Sequence, residues 1–185
     1  TYGEIILFHS KNCIIQNNSA SGMIFGVCLD YQSTNNTVRY NDVYDNIVGI
    51  TVMTSSKDNK IYKNNIHDNT EGIRISNRSS YNLFYENKLN DNTFGFSLFL
   101  DPYGNAIENN TITKTPFCVK SIGKTKNYYN HNYWNRPRVF PKFIFGCLKG
   151  KSVLPIVSIP CFITGVDWNP ARQPTVYFNF CAYSS

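Results

Sequence analysis

Three Asp-Asn pairs stand at one fixed interval in this chain: Asp45-Asn46, Asp68-Asn69 and Asp91-Asn92, with His67 beside the middle pair. Brought onto one edge, three carboxylates could hold Ca²⁺, which takes several oxygen ligands at once. Two of them could also serve as acid and base in glycoside cleavage. A second series shares the interval: Arg39, Tyr62 and Tyr85, followed by Glu108. Tyrosine rings on a solvated face offer flat surfaces to sugar rings, and an arginine fork suits a carboxylate. Catalytic groups normally break a repeat, and the Asp-Asn pairs are the repeat. They are therefore read first as consensus turns, and the Arg39–Tyr62–Tyr85 row as the candidate carbohydrate-binding face.

The elements that position these residues follow from the interval, which is 23 residues. Glycines fall at Gly3, Gly26, Gly49, Gly72 and Gly95, and Cys118 occupies the next slot. A fixed period of this size is the signature of a solenoid. Three residues after each glycine come Ile6, Leu29, Val52, Ile75 and Leu98; twelve after come Ile15, Val38, Ile61, Phe84 and Ile107. A further apolar column holds Val43, Ile66, Leu89 and Ile112. Two asparagine columns run between them: Asn36, Asn59, Asn82, Asn105, and Asn18, Asn41, Asn64, Asn87, Asn110. Ser10, Ser33, Ser56 and Ser79 mark another turn.

Each coil thus reads as short pieces of two-residue alternation, rich in β-branched residues and separated by turns, which describes strands rather than helices. The predicted fold is all-β: a right-handed parallel β-helix of 23-residue coils with an irregular C-terminal cap. In such a stack every column becomes a line of like side chains about 4.8 Å apart. Asparagine suits a turn column because it tolerates left-handed backbone and bonds nearby backbone groups. Stacked asparagines also bond one another.

The pattern carried by "SSKDNKIYKNNIHDNTEGIRIS" and its neighbours, over roughly residues 3–117, resembles the parallel β-helix repeat of the pectin-lyase-like superfamily. Its nearest match is the NosD-like periplasmic, "copper-binding" branch found in archaeal and bacterial surface proteins. "NYWNRPR", beginning at Asn132, resembles the stretch that ends such repeats. The resemblance implies a periplasmic, extracellular or cell-surface location. It implies copper by the branch name alone. Copper wants clustered His, Met or Cys, whereas His9, His67 and His131 fall in different columns, and Met23 and Met53 are the two methionines. Related enzymes act on uronates, and Asp101-Pro102-Tyr103 resembles the Asp-Pro-His of alginate epimerases with Tyr in place of His. A proline-containing turn explains the same residues more simply.

Charge divides the chain. Residues 1–108 carry eight Lys/Arg and eleven Asp/Glu, whereas residues 109–185 carry ten and one. Prolines and aromatics gather after about Asn132 as the period fades. This sets a domain reading of repeats over 1–131, N-terminally incomplete, and a basic capping segment over 132–185, since the end of a solenoid exposes its core. Trp134 and Trp168 are expected to pack on that end. "SVLPIVSIPCFITG" is too short and too proline-broken to span a bilayer. The basic half could face an anionic ligand; nucleic acid is not expected. The sequons at Asn17, Asn35, Asn77 and Asn109 follow from composition, and six cysteines permit disulfides without implying them. The functional expectation is a non-catalytic surface module binding a glycan or cell-surface polymer, without a cofactor. The alternatives are a polysaccharide lyase, epimerase or hydrolase, and a structural spacer.

Overall fold

The computed structural model describes residues 3–123, 125–135, 142–147 and 161–167. Among them the chain winds through six coils of three short strands each. The first coil is β1 (Ile5–Phe8), β2 (Ile14–Gln16) and β3 (Ser19–Ser21). The second is β4 (Phe25–Asp30), β5 (Thr37–Arg39) and β6 (Asp42–Tyr44), and the third β7 (Val48–Val52), β8 (Lys60–Tyr62) and β9 (Asn65–His67). The fourth is β10 (Glu71–Ser76), β11 (Leu83–Tyr85) and β12 (Lys88–Asn90). The fifth is β13 (Phe94–Phe99), β14 (Tyr103–Glu108) and β15 (Thr111–Thr113), and the sixth β16 (Phe117–Ile122), β17 (Lys126–Asn130) and β18 (Tyr133–Trp134). β19 (Lys142–Cys147) and β20 (Cys161–Asp167) follow.

Every third strand pairs in parallel with its equivalent, which makes three faces. Face one holds β1, β4, β7, β10, β13 and β16; face two holds β2 and its equivalents, and face three β3 and its equivalents. This is the expected right-handed parallel β-helix. The interior consists of stacked lines such as Val27–Ile50–Ile73–Phe96 and Val38–Ile61–Phe84–Ile107, all fully buried. Removing each such side chain from water stabilises the fold by about 1.5–3 kcal/mol.

The glycine column has a steric cause. A Cβ on Gly49 would lie 2.7 Å from the carbonyl oxygen of Gly72 in the next coil and 2.9 Å from the Ile66 side chain. Gly26, Gly72 and Gly95 meet the same obstacle. Gly3 does not: nothing lies within 4 Å of its added Cβ. In the first coil Ile5 pairs with Val27 and Leu7 with Leu29, so β1 is offset by one residue from the 23-residue spacing. Ile6, expected inside, is 53% exposed.

Three amide ladders pin the corners. In the second, Asn64 Oδ1 accepts from the backbone N–H and the Nδ2 of Asn41, both at 3.0 Å. Asn64 Nδ2 in turn donates to Asn87 Oδ1 and to the carbonyls of Val38 and Tyr62. The column Asn36–Asn59–Asn82–Asn105 bonds likewise and continues to Asn127. The third ladder is Asn46–Asn69–Asn92, the partners of the aspartates. The left-handed backbone does not fall on the ladder asparagines. It falls on residues that precede them, including Tyr40, Lys63 and Glu86.

The spacing shortens to 22 residues at the sixth coil, where Asn110 meets Asn132. A register shift between Tyr103 and Ala106 accompanies the change. Face three runs on through Tyr133–Trp134, past the expected boundary at 131. β19 pairs with β16, β20 with β17, and the two pair antiparallel with each other, joining faces one and two. The buried Asp167 carboxylate ends the second ladder, accepting from the backbone N–H and Nδ2 of Asn132 and from Trp134 Nε1. Trp134 is wholly buried in the core. Trp168 and most of the expected cap lie outside the described residues. Among the described residues no helix is long and apolar enough to cross a membrane.

Candidate functional site

Strand alternation on face one sends Ile50 and Val52 inward and Thr51 outward, and the pattern repeats in each coil. The outward residues stack in register as Cys28, Thr51, Arg74, Ser97 and Lys120. A parallel row beside them is Phe25, Val48, Glu71, Phe94 and Phe117. Ser76, Phe99 and Ile122 form the row on the other side. On this face lies a groove of about 930 Å³ whose lining includes Phe25, Met53, Arg74, Ser76, Phe99, Asp101 and Ile122.

Its electrostatics centre on one ion pair. Arg74 Nε donates to Glu71 Oε2 at 2.7 Å, and the Glu71 side chain is buried. The Arg74 guanidinium also lies 5.8 Å from the centre of the Phe99 ring. Lys120 Nζ stands 4.5 Å from the Phe94 ring and 5.1 Å from that of Phe99, both cation–π distances. Phe94 and Phe117 stack at 5.2 Å. The hydroxyls of Thr51 and Ser97, on either side of Arg74, are fully buried and have no hydrogen-bond partner. Burial, with the nearby charges of Asp30 and Glu4, pushes the Cys28 thiol up to about 12. It is therefore a protonated, buried thiol and no nucleophile at neutral pH.

This groove was not singled out from the sequence. The columns two, four and five residues after each glycine change residue type at every coil, so variation alone did not single out the groove.

Arg39, Tyr62 and Tyr85 do come together, on the outside of face two. Their geometry differs from a row of open platforms. Tyr62 and Tyr85 stack on each other at 4.6 Å and 13°, and Arg39 Nη1 donates to the Tyr62 hydroxyl at 2.9 Å. A ligand here would meet ring edges and hydroxyls. Burial first, then the neighbouring Tyr62 and Glu86, holds the Tyr85 phenol above its ordinary pKa, which keeps it a donor.

Asp45, Asp68 and Asp91 line one corner in left-handed backbone, at φ 54°, 56° and 54°. Asp68 Oδ2 is bound to His67 Nδ1 at 2.7 Å, and His67 Nε2 reaches Asp42 Oδ1 at 3.1 Å. Asp91 lies 3.6 Å from Lys114 Nζ and accepts from Asn90 Nδ2. Tyr44 stacks on His67 at 5.2 Å. Burial lowers the His67 pKa, but the hydrogen bonds and charges of Asp68 and Asp42 outweigh it and leave the pKa raised. Among the described residues no group of three His, Cys, Asp or Glu assembles as a metal-ligand set. Both ring nitrogens of His67 are taken by carboxylates. Cys13, Cys28 and Cys118 lie in separate coils. The described residues do not fit a copper site.

The chain matches the family model described as periplasmic copper-binding protein (NosD) over residues 2–140. That family description agrees with the expected location beyond the cytoplasmic membrane. No curated protein matches the chain. Crystal structures of the periplasmic alginate epimerase AlgG share the fold. One mutant form superposes with a TM-score of 0.68 at 17% identity, and another with 0.69 at 18%. A further AlgG structure gives 0.60 at 15%. Each alignment covers 80% of this chain, but the chain spans only 36% of the mutant forms and 39% of the third. With three-quarters of its length inside one family model and the coil architecture to match, this chain belongs to the NosD family of parallel β-helix proteins.

Proposed function

We infer that the chain is a non-catalytic, extracytoplasmic β-helix module that binds carbohydrate in the groove on face one. The observation that carries this reading is the groove's make-up: the aromatic residues Phe25 and Phe99, with Arg74, Ser76, Asn77 and Asp101 among its polar lining. Aromatic faces suit the apolar faces of sugar rings, and polar groups between them fix orientation. The Tyr62–Tyr85 row with Arg39 is a second, flatter surface for the same class of ligand. Among the described residues the one cation lining the groove, Arg74, is held by the buried Glu71 carboxylate, which favours holding a ligand over transferring its protons.

A second reading is a polysaccharide-active enzyme. It is favoured by Asp101, which lines the groove, and by the solved neighbours, which are epimerases. Glycan-array binding of the purified chain, followed by turnover assays on each hit, separates the two. Binding without chemical change of the glycan supports the module. Depolymerisation or a change of sugar configuration supports the enzyme, and an array without hits removes both.

A further inference from the structure

We propose that Asn17, Asn35 and Asn109 are acceptor sites for N-linked glycans, and that the fourth sequon asparagine, Asn77, is not. This goes beyond the reading of the groove and does not depend on what the groove binds. Composition accounts for the presence of four sequons, and the fold tells them apart. All four asparagines stand at corners in left-handed backbone, at φ 57°, 55°, 52° and 52° for Asn17, Asn35, Asn77 and Asn109. Asn17, Asn35 and Asn109 are exposed, and each immediately precedes a ladder asparagine, Asn18, Asn36 or Asn110. Asn77 is half-buried and lines the groove, and its triplet ends in the wholly buried Ser79.

The ladder explains the middle residue of these triplets and nothing else in them. At the corner between faces two and three, the residue before the ladder asparagine is Asn17, Tyr40, Lys63, Glu86 and Asn109 in successive coils. The residue after it is Ser19, Asp42, Asn65, Lys88 and Thr111. The first position has to accept a left-handed turn, which Tyr40, Lys63 and Glu86 do as well as asparagine. Asparagine occupies it in the two coils whose third position carries a hydroxyl, and in none of the three between. An amide with a hydroxyl two residues on is what N-glycosylation requires, and the ladder does not ask for it. This corner lies across the coil from face one, so glycans there leave the groove open. Asn17 and Asn109 are four coils apart, about 19 Å at about 4.8 Å per coil, which gives two bulky chains room to project. Asn35 stands at the corner between faces one and two, where its Nδ2 donates to the exposed Asn12 Oδ1. A glycan on Asn77 would instead crowd the groove beside Arg74 and Phe99.

The step is a glycosyl transfer from a polyprenyl-phosphate-linked oligosaccharide. The asparagine Nδ2 bonds to the anomeric carbon, the bond from that carbon to the phosphate oxygen breaks, the amide gives up one proton, and the lipid phosphate leaves. No oxidant or reductant takes part. This modification belongs to proteins beyond the cytoplasmic membrane, the location that the family description gives. Asn17, Asn18 and Ser19 are all exposed, so that sequon is reachable in the folded chain. Thr37 is half-buried and Thr111 buried, so Asn35 and Asn109 are modified before their coils close.

Peptide mapping by electron-transfer mass spectrometry, on the protein isolated from its own cells, tests the assignment. Glycan mass is expected on Asn17, Asn35 and Asn109 and none on Asn77. Replacement of each of the three by Gln, expressed in the same cells, should lower the intact mass by that of one glycan. Ser19→Ala leaves Asn17 in place and should remove its glycan as completely as Asn17→Gln. Both substitutions touch exposed residues outside the ladders. A mass that survives Ser19→Ala is not directed by the sequon and overturns the assignment at Asn17. A site that is bare in the native protein is struck from the assignment, and all three bare overturn it entirely. Asn77 occupied as fully as the others overturns the selection by exposure.

Discussion

Asn64→Asp exchanges one amide nitrogen for an oxygen and leaves the shape of the side chain unchanged, so it isolates the chemistry of the ladder. Asn64 Nδ2 donates to three acceptors: the carbonyls of Val38 and Tyr62 and Asn87 Oδ1, at 3.0, 3.1 and 3.0 Å. A carboxylate turns all three contacts into lone pair against lone pair. The two N–H donors shared among these acceptors, at about 1 kcal/mol each, with the penalty of a buried charge that lacks a cation, give a loss of at least about 3 kcal/mol at neutral pH. The new carboxyl would hold its proton more tightly in the fold than the unfolded value of about 4. The folded state then binds more protons than the unfolded one, so the loss grows as pH rises above that value and shrinks in acid. Urea denaturation midpoints of the parent, Asn64→Asp and Asn18→Asp, compared at pH 7 and pH 4, measure this. Asn18 is the exposed first rung, and its Nδ2 has two acceptors, so its replacement should cost about 1 kcal/mol or less. Equal midpoints for the two variants at pH 7 would falsify the claim that the ladder amides hold the coils together. The same logic explains why an acid is accepted at Asp167, whose Oδ2 accepts from three N–H donors.

Four further outcomes are expected. Gly49→Ala should destabilise by about 1–3 kcal/mol through its clash with the Gly72 carbonyl, while Gly3→Ala should leave the midpoint unchanged; equal effects would discredit the steric account of the column. His67, clasped by Asp42 and Asp68 with a raised pKa, contributes stability that is complete below its unfolded pKa of about 6.5 and fades as pH rises through the higher folded value. A midpoint-versus-pH curve for His67→Gln should lack that step, and a curve parallel to the parent's would count against the clasp. Asp167→Ala strands the Asn132 N–H and the Trp134 indole, and should lower the midpoint by about 2–4 kcal/mol in thermal or urea denaturation. Deleting residues 136–185 removes β19 and β20 and opens the edges of two faces. Light scattering should then detect association, and a monomer of parent stability would mean that the segment is no cap.

The sequence by itself determined the coil. Parallel strands stacked in register impose the same demand on every equivalent position, so Ile50, Ile73 and Phe96, or Asn41, Asn64 and Asn87, recur because one environment recurs. The exceptions also have physical causes. Ile6 was misplaced because β1 carries a one-residue offset that no column reveals from a single terminal coil. The third ladder, Asn46–Asn69–Asn92, sat in plain view beside the aspartates, but which member of an Asp-Asn pair turns inward is decided by backbone geometry: the first takes the left-handed turn and the second bonds across coils. Asp167 could not be assigned, because its partners Asn132 and Trp134 lie more than thirty residues away along the chain. The groove depended most on tertiary structure. Glu71 and Arg74 are near neighbours in sequence, yet Phe94, Phe99 and Lys120 join them only because coils are stacked sideways. Repetition in sequence reports what holds a solenoid together, whereas the residues that line the groove are brought side by side only by the stacking of coils.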